Sequence, residues 1–199
     1  MKNVTIKLNK MAFFGTHDSV TGEKGYGLMN LFKFFGQTQK YTIIEQAKAG
    51  IKYFDLRVRK TDRGWICAHG LWETKKTFQE ILKEISKNII YTQAYIAVTY
   101  EGTLPKDMSE KDFLKFIKKN IKRYENLILY SVSEKYKKSE TRKLVWNSIW
   151  TKGGLNIIAH YTHFSLTPFP PIPSFWKMGY PEVIPEDDKT IVIVDFYDK

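Results

Sequence analysis

His17 and His69 each follow a short β-type run, 52 residues apart, and each stands next to a residue that can orient it or extend its reach. Imidazole titrates near pH ~6.5 and exists in both forms around neutrality, so such a pair can divide general-base from general-acid work. Chemistry at phosphate uses that division well. Arg57 lies two residues beyond Asp55, so on one strand both side chains point to the same face. If that face is the inside of a barrel, the guanidinium supplies a fixed positive charge for a phosphate whose charge grows at the transition state. Asp55 would then neutralise and orient the arginine or a neighbouring histidine. An inward acid and arginine with no function would be costly unless they simply paired.

These residues need strands that end at one place. Short β-type runs cover Met11 to Phe14, Ile51 to Val58, Trp65 to Ala68, Tyr95 to Tyr100, Lys143 to Trp146, Leu155 to Ala159 and Thr190 to Phe196. Three capping pairs, Thr42 with Glu45, Thr77 with Glu80 and Ser109 with Asp112, open helices between them. The second carries Phe78, Ile81, Leu82 and Ile85 on one face, and the third Phe113, Phe116, Ile117 and Ile121. Alternation of strand and helix predicts an α/β fold with a mostly parallel sheet, whose chemistry sits at the carboxyl ends of the strands. Gly15 to Asp18, Asp55 with Arg57, His69 with Gly70, Tyr100 with Glu101, and Asp195 all fall at such ends. The stretch Thr167 to Trp176 is rich in proline and aromatics and predicts a rim loop.

The chain has 199 residues, 43% hydrophobic and 15% aromatic, with 32 Lys plus Arg against 21 Asp plus Glu and a net charge of +11. That composition excludes intrinsic disorder and fits one globular domain with an ample core. Cys67 is the single cysteine, which rules out an internal disulfide and reads as a small buried hydrophobe. No apolar run is long enough to span a bilayer, and Met1 to Lys10 lacks the uninterrupted apolar stretch of a signal peptide. A cytoplasmic location follows as the expectation, with secretion of a processed form as the alternative. The positive charge suits nucleic acid, an anionic membrane or a phosphorylated substrate, or simply solvates helix faces such as that bearing Lys118, Lys119, Lys122 and Arg123.

Three segments together resemble a known family. GTHDS at Gly15 to Ser19, GIKYFDLRV at Gly50 to Val58 and HG at His69 and Gly70 are similar to the X domain of bacterial phosphatidylinositol-specific phospholipase C. TIVIVDFYD at the end resembles the last-strand segment of those enzymes. The resemblance implies a distorted TIM-type (β/α) barrel and one catalytic domain over 1–199, shortened against the ~250 residues of a typical barrel. It implies cleavage of phosphatidylinositol to diacylglycerol and an inositol cyclic phosphate, a lyase-type phosphodiesterase reaction at a membrane surface. By resemblance His17 is the base that takes the inositol 2-hydroxyl proton, and His69 the acid that protonates the leaving oxygen. Asp195 orients the base, Asp18 assists the acid, and Asp55 holds His69 and Arg57.

In calcium-dependent members an Asn follows the first histidine and an acidic pair stands on the second strand. Asp18 and Arg57 replace these, so the resemblance implies a guanidinium where the cation stands, and no metal or cofactor. Related barrel enzymes such as glycerophosphodiesterases keep the acid pair that Asp55 and Arg57 break. The chain departs from the bacterial pattern at Phe14, where a proline is usual, and at the fourth strand end, where Tyr100 and Glu101 replace a head-group lysine. Tyr100, Glu101 and Tyr197 are the substrate-binding candidates. His160 and His163 match no catalytic motif and read as partly buried imidazoles; Tyr161 could stack on a sugar ring. Phe169, Phe175 and Trp176, with Lys177 nearby, could insert at a lipid interface. The expected protein is a monomer with a phospholipid partner and no nucleic acid. Two alternatives remain: a related phosphodiesterase acting on another phospholipid or glycerophosphodiester, and a basic nucleic-acid binder on a degenerate barrel, which would be indifferent to mutation of His17.

Overall fold

Period-two alternation in IKYFDLRVRKT makes one long strand with two unlike faces: Phe54, Leu56 and Val58 point one way, and Tyr53, Asp55 and Arg57 the other. This is strand β2, Ile51–Thr61, the backbone of the fold. The structure, a computed structural model, describes residues 13–33, 37–133, 146–152, 155–160 and 190–194, with backbone alone at Met29, Phe32, 131–133, 146–152 and 155–160. The remaining strands are β1 (Phe13–Thr16), β3 (Gly64–His69), β4 (Trp72–Thr77), β5 (Ala94–Tyr100), β6 (Leu127–Ser133), β7 (Trp146–Lys152), β8 (Leu155–His160) and β9 (Thr190–Val194).

Three helices cover one face of this sheet: α1 (Ile43–Lys48), α2 (Phe78–Asn88) and α3 (Glu110–Ile121). Each opens with a full capping box, formed by Thr42 and Glu45, Thr77 and Glu80, and Ser109 and Asp112, as the sequence predicts. Ile81, Leu82, Ile85, Phe113 and Ile117 from these helices pack on Phe54, Leu56, Val58, Ile96 and Val98 of the sheet. Each such fully buried side chain contributes about 1.5–3 kcal/mol, so this face contributes heavily to stability. Among the described residues the opposite face holds a small cluster, Tyr53, Ala97, Ile191 and Ile193, and its carboxyl end is polar.

The fold is α/β with a mixed sheet. Its spine runs β6-β5-β2-β1-β9-β8-β7, parallel from β6 to β8, with β7 antiparallel to β8. Among the described residues β6 and β7 do not pair, so the sheet is open where a barrel was expected to close.

The third strand departs from the parallel part of the sheet. β2 runs past the sheet's parallel part, turns at Asp62 and Arg63, and returns as β3 antiparallel to itself. That return brings His69 back toward Arg57. Neither β4 nor β6 is foreseen from the sequence. β4 is a strand whose outward positions are Glu73 and Lys75, with Trp72 and Thr74 buried, while the apolar run of β6 fits strand or helix equally by periodicity. β7 extends from Trp146 well beyond the expected run, of which Lys143 to Val145 lies outside the described residues. So do Met1 to Ala12, Thr167 to Trp176 and the last residues of the final run, Asp195 and Phe196.

Candidate active site

Gly15 lets the first histidine come close to two neighbouring strands at once. A β-carbon there would stand 2.8 Å from Tyr53 Cβ on β2 and 3.2 Å from Ile191 Cγ2 on β9, closer than packed carbons tolerate. Two residues on, His17 N–H donates to the Val194 carbonyl at 3.2 Å, which fixes the end of β1 to the end of β9. The Gln39 amide donates to both the His17 and Val194 carbonyls at 2.9 Å each, and Thr38 Oγ1 donates to the His17 carbonyl at 2.9 Å. Both clamping residues are buried. Asp18 follows in the left-handed region with φ 44°, rare for a residue other than glycine and tolerated best by Asp and Asn. Its N–H donates to Asp55 Oδ2 at 3.2 Å.

Asp18 is the hub of the cluster. Its Oδ2 lies 3.3 Å from His17 Nε2 and 3.2 Å from His69 Nε2, and its Oδ1 pairs with Arg57 Nε. One carboxylate thus touches both imidazoles and the guanidinium. Arg57 Nη2 lies 2.8 Å from His17 Nε2 and 3.8 Å from Asp55 Oδ2, and Nη1 lies 3.9 Å from Glu101 Oε2. Because a guanidinium is always protonated, Arg57 donates and His17 Nε2 accepts, which places the proton of a neutral His17 on Nδ1. Glu101 Oε1 in turn accepts from Gly70 N–H at 3.0 Å and so holds the turn that follows His69.

Burial, reinforced by Arg57 and opposed by Asp18 and Asp55, lowers the His17 imidazole from 6.5 to about 4. It is therefore neutral at physiological pH and able to take up a proton. Burial also raises the Asp55 carboxyl above its usual range, with Asp18 adding to the shift and Arg57 working against it.

The structure brings together His17, Asp18, Asp55, Arg57, His69 and Glu101. Asp195 and Tyr197 lie outside the described residues, as do Tyr161, His163, Phe169, Phe175, Trp176 and Lys177. His160 ends β8 in register with Val194. Tyr100 does not join the cluster. It shares the parity of Ile96 and Val98 and packs edge-on against Trp65 and Phe113 in the helix-side core, so its expected contact with substrate is corrected. The residue beside Arg57 in register is Thr99, which alternation along YIAVTY could have shown. Thr38 and Gln39 carry no comparable signal, because their role depends on a loop folding back over β1.

His17, Asp18 and Asp55 could offer one ligand atom each within 4.8 Å of one another. A cation held there would face the Arg57 guanidinium, which already donates to His17 Nε2 and pairs with Asp18.

The strand ends of this α/β sheet gather two histidines, two aspartates and an arginine in one cluster. No family model matches the sequence, and no curated protein matches it. Its structure is similar to that of a mutant of the phosphatidylinositol-specific phospholipase C from Staphylococcus aureus, with TM-score 0.63 and 12% identity over 96% of this chain and 88% of that one. The phosphatidylinositol-specific phospholipase C from Listeria monocytogenes is similar at TM-score 0.55 and 15% identity, over 95% of this chain and 89% of that one. A further S. aureus structure, from work on the membrane binding of that enzyme, gives TM-score 0.61 and 13% identity, with 96% and 88% covered. At such identities the likeness is one of fold.

Proposed function

We propose that the chain is a phospholipase C-type phosphodiesterase, a single catalytic domain over 1–199 on a shortened, incompletely closed TIM-type barrel, that cleaves phosphatidylinositol without a metal. The observation that carries this reading is Asp18 Oδ2 between the two imidazoles, with Arg57 on the other oxygen of the same carboxylate. A phosphodiester entering the cluster takes hydrogen bonds from Arg57, which leaves the His17 Nε2 lone pair available. His17 removes the proton of the inositol 2-hydroxyl, and that oxygen forms the new bond to phosphorus. The bond from phosphorus to the glycerol oxygen breaks, and His69 gives its proton to the leaving diacylglycerol. The products are diacylglycerol and inositol 1,2-cyclic phosphate.

Asp18 serves both ends of this transfer. At the start its Oδ2 accepts from a protonated His69, and at the end it faces the proton His17 has gained. By the resemblance Asp195 orients the base, and Glu101 and Tyr197 are candidates for contact with the head group. Glu101, which reaches both Arg57 and the Gly70 turn, suits a head group rich in hydroxyls. The test is hydrolysis of phosphatidylinositol in mixed micelles by the protein and by His17→Ala and His69→Ala. The reading expects turnover in the unmodified protein and a loss of at least about 10³-fold in each variant. Unaltered turnover in either variant contradicts it.

A further inference from the structure

His69 is the last residue of β3, and only Gly70 and Leu71 separate it from Trp72, with which it pairs across the hairpin. Gly70 has φ 59°, a conformation that suits glycine, and among the described residues no atom lies within 4 Å of where its β-carbon would stand. Side-chain packing does little to hold a turn so open. Yet the imidazole that precedes it keeps a 3.2 Å approach to Asp18 Oδ2.

Polar contacts hold the turn from both sides. The Gly70 N–H donates to Glu101 Oε1 at 3.0 Å, and the Gly70 carbonyl accepts from Arg59 Nη2 at 2.6 Å. The same guanidinium donates through Nε to the Glu101 carbonyl at 3.3 Å and through Nη1 to Glu73 Oε1 at 3.3 Å. The Glu101 N–H donates to the Val58 carbonyl at 2.8 Å, which ties the end of β5 to β2 beside Arg59. One side chain therefore spans β2, the end of β5 and both arms of the β3–β4 hairpin. With 27% of that side chain exposed, water is within reach, yet its planar fork meets three protein acceptors. Alternation along β2 puts Arg59 on the face of Asp55 and Arg57, one step further out. Arg57 reaches into the cluster, whereas the contacts of Arg59 run to the backbone behind His69.

We propose that Arg59 is a positioning residue: by gripping the Gly70 and Glu101 carbonyls it fixes the Gly70 turn and so holds the His69 imidazole on Asp18. This role rests on the phospholipase reading for the destination of the proton, which passes from His69 to the leaving oxygen. A general acid works only within hydrogen-bond reach of the atom it protonates, so a slack turn costs rate at that step.

Leaving groups separate this role from a structural or substrate-binding one. The glycerol oxygen of phosphatidylinositol takes a proton as its bond to phosphorus breaks. Nitrophenolate, released from inositol 4-nitrophenyl phosphate, departs as the anion and leaves the proton on His69. Arg59→Met should lose at least about tenfold in kcat on phosphatidylinositol in mixed micelles but less than about threefold on the nitrophenyl ester. His69→Ala should show the same split in larger measure. Added to His69→Ala, Arg59→Met should cost nothing further on either ester, because no acid is left to position. Arg59→Lys, whose single ammonium cannot meet three acceptors at once, should fall between wild type and Arg59→Met on phosphatidylinositol. Glu73 keeps Arg63 Nη2 at 2.7 Å when Arg59 is replaced, so both variants should melt within a few degrees of wild type.

Equal losses on the two esters, a raised KM with kcat unchanged, or a further loss in the His69→Ala background overturns the assignment. If wild type does not cleave phosphatidylinositol, the phospholipase reading fails, and hydrogen exchange judges the clamp instead. The Gly70 amide should then exchange at least about tenfold faster in Arg59→Met than in wild type, and equal exchange overturns the clamp.

Discussion

Arg57 meets four side chains of the cluster, Asp18 through Nε, His17 and Asp55 through Nη2, and Glu101 through Nη1. A lysine keeps the charge but offers a single ammonium, which cannot reach these groups and two phosphate oxygens together. Arg57→Lys should therefore lose about 10²–10³-fold in kcat while melting within a few degrees of wild type. Arg57→Met should instead unfold more readily, by about 3–5 kcal/mol, because it leaves the buried Asp18 and Asp55 carboxylates without their cation. Comparing kcat with urea midpoints for the two variants separates the chemical role from the structural one. His17 sets a pH signature. Its folded pKa of about 4 lies below the ordinary 6.5, so the unfolded chain binds the proton first as pH falls. Its contribution to stability is complete above pH 6.5 and is lost as pH drops toward about 4, on the order of 3 kcal/mol in all. Asp55, raised by burial, works in the opposite sense, gaining stability in acid and losing it as pH rises through its folded pKa. The difference between wild type and His17→Gln isolates the histidine: urea unfolding at a series of pH values should show a shallower acid loss in the variant. A wild-type slope in that variant would contradict the assignment.

The elements divide into those that make the fold stable and those that place the chemistry, and substitutions should tell them apart. Thr77→Ala removes one capping interaction of α2, far from the cluster, and should cost about 1 kcal/mol in thermal unfolding with kcat unchanged. Gly15→Ala forces a β-carbon against Tyr53 and Ile191 two residues before His17. It should cost about 1–3 kcal/mol and also lower kcat, since the end of β1 can no longer sit at the same depth between β2 and β9. Local signals explain why much of this was legible. The three capping boxes, the apolar faces of α2 and α3, and the alternation in β2 that puts Asp55 and Arg57 on one face are each written within a dozen residues. The histidine-bearing motifs likewise pointed to residues that the fold gathers. What was hidden depends on contacts between distant segments. The reversal of β3 depends on β2 overrunning its parallel partners, and Gln39 clamps two carbonyls that no nearby sequence pattern connects. Tyr100 was misplaced for a simpler reason: a residue at a strand end was read by its position along the strand and not by its parity.

At the scale of the molecule, one sheet separates two kinds of surface. Among the described residues its helix-side face buries the large apolar core, and its other face carries few apolar side chains and a cluster of charges at one end. Among the described residues the basic side chains divide accordingly, with Arg57 inside the cluster and exposed lysines along the outer faces of α2 and α3. None of the helices among the described residues is long and apolar enough to cross a membrane. In the proposed reaction the guanidinium of Arg57, and no metal ion, meets the charge that grows on phosphorus while His17 and His69 move the protons. The most direct measurement is ³¹P NMR of phosphatidylinositol micelles incubated with the protein in excess EDTA. The account predicts the signal of a five-membered cyclic phosphodiester, formed at a rate that added Ca²⁺ does not raise. No turnover in chelator, restored by Ca²⁺ or Mg²⁺, would contradict it.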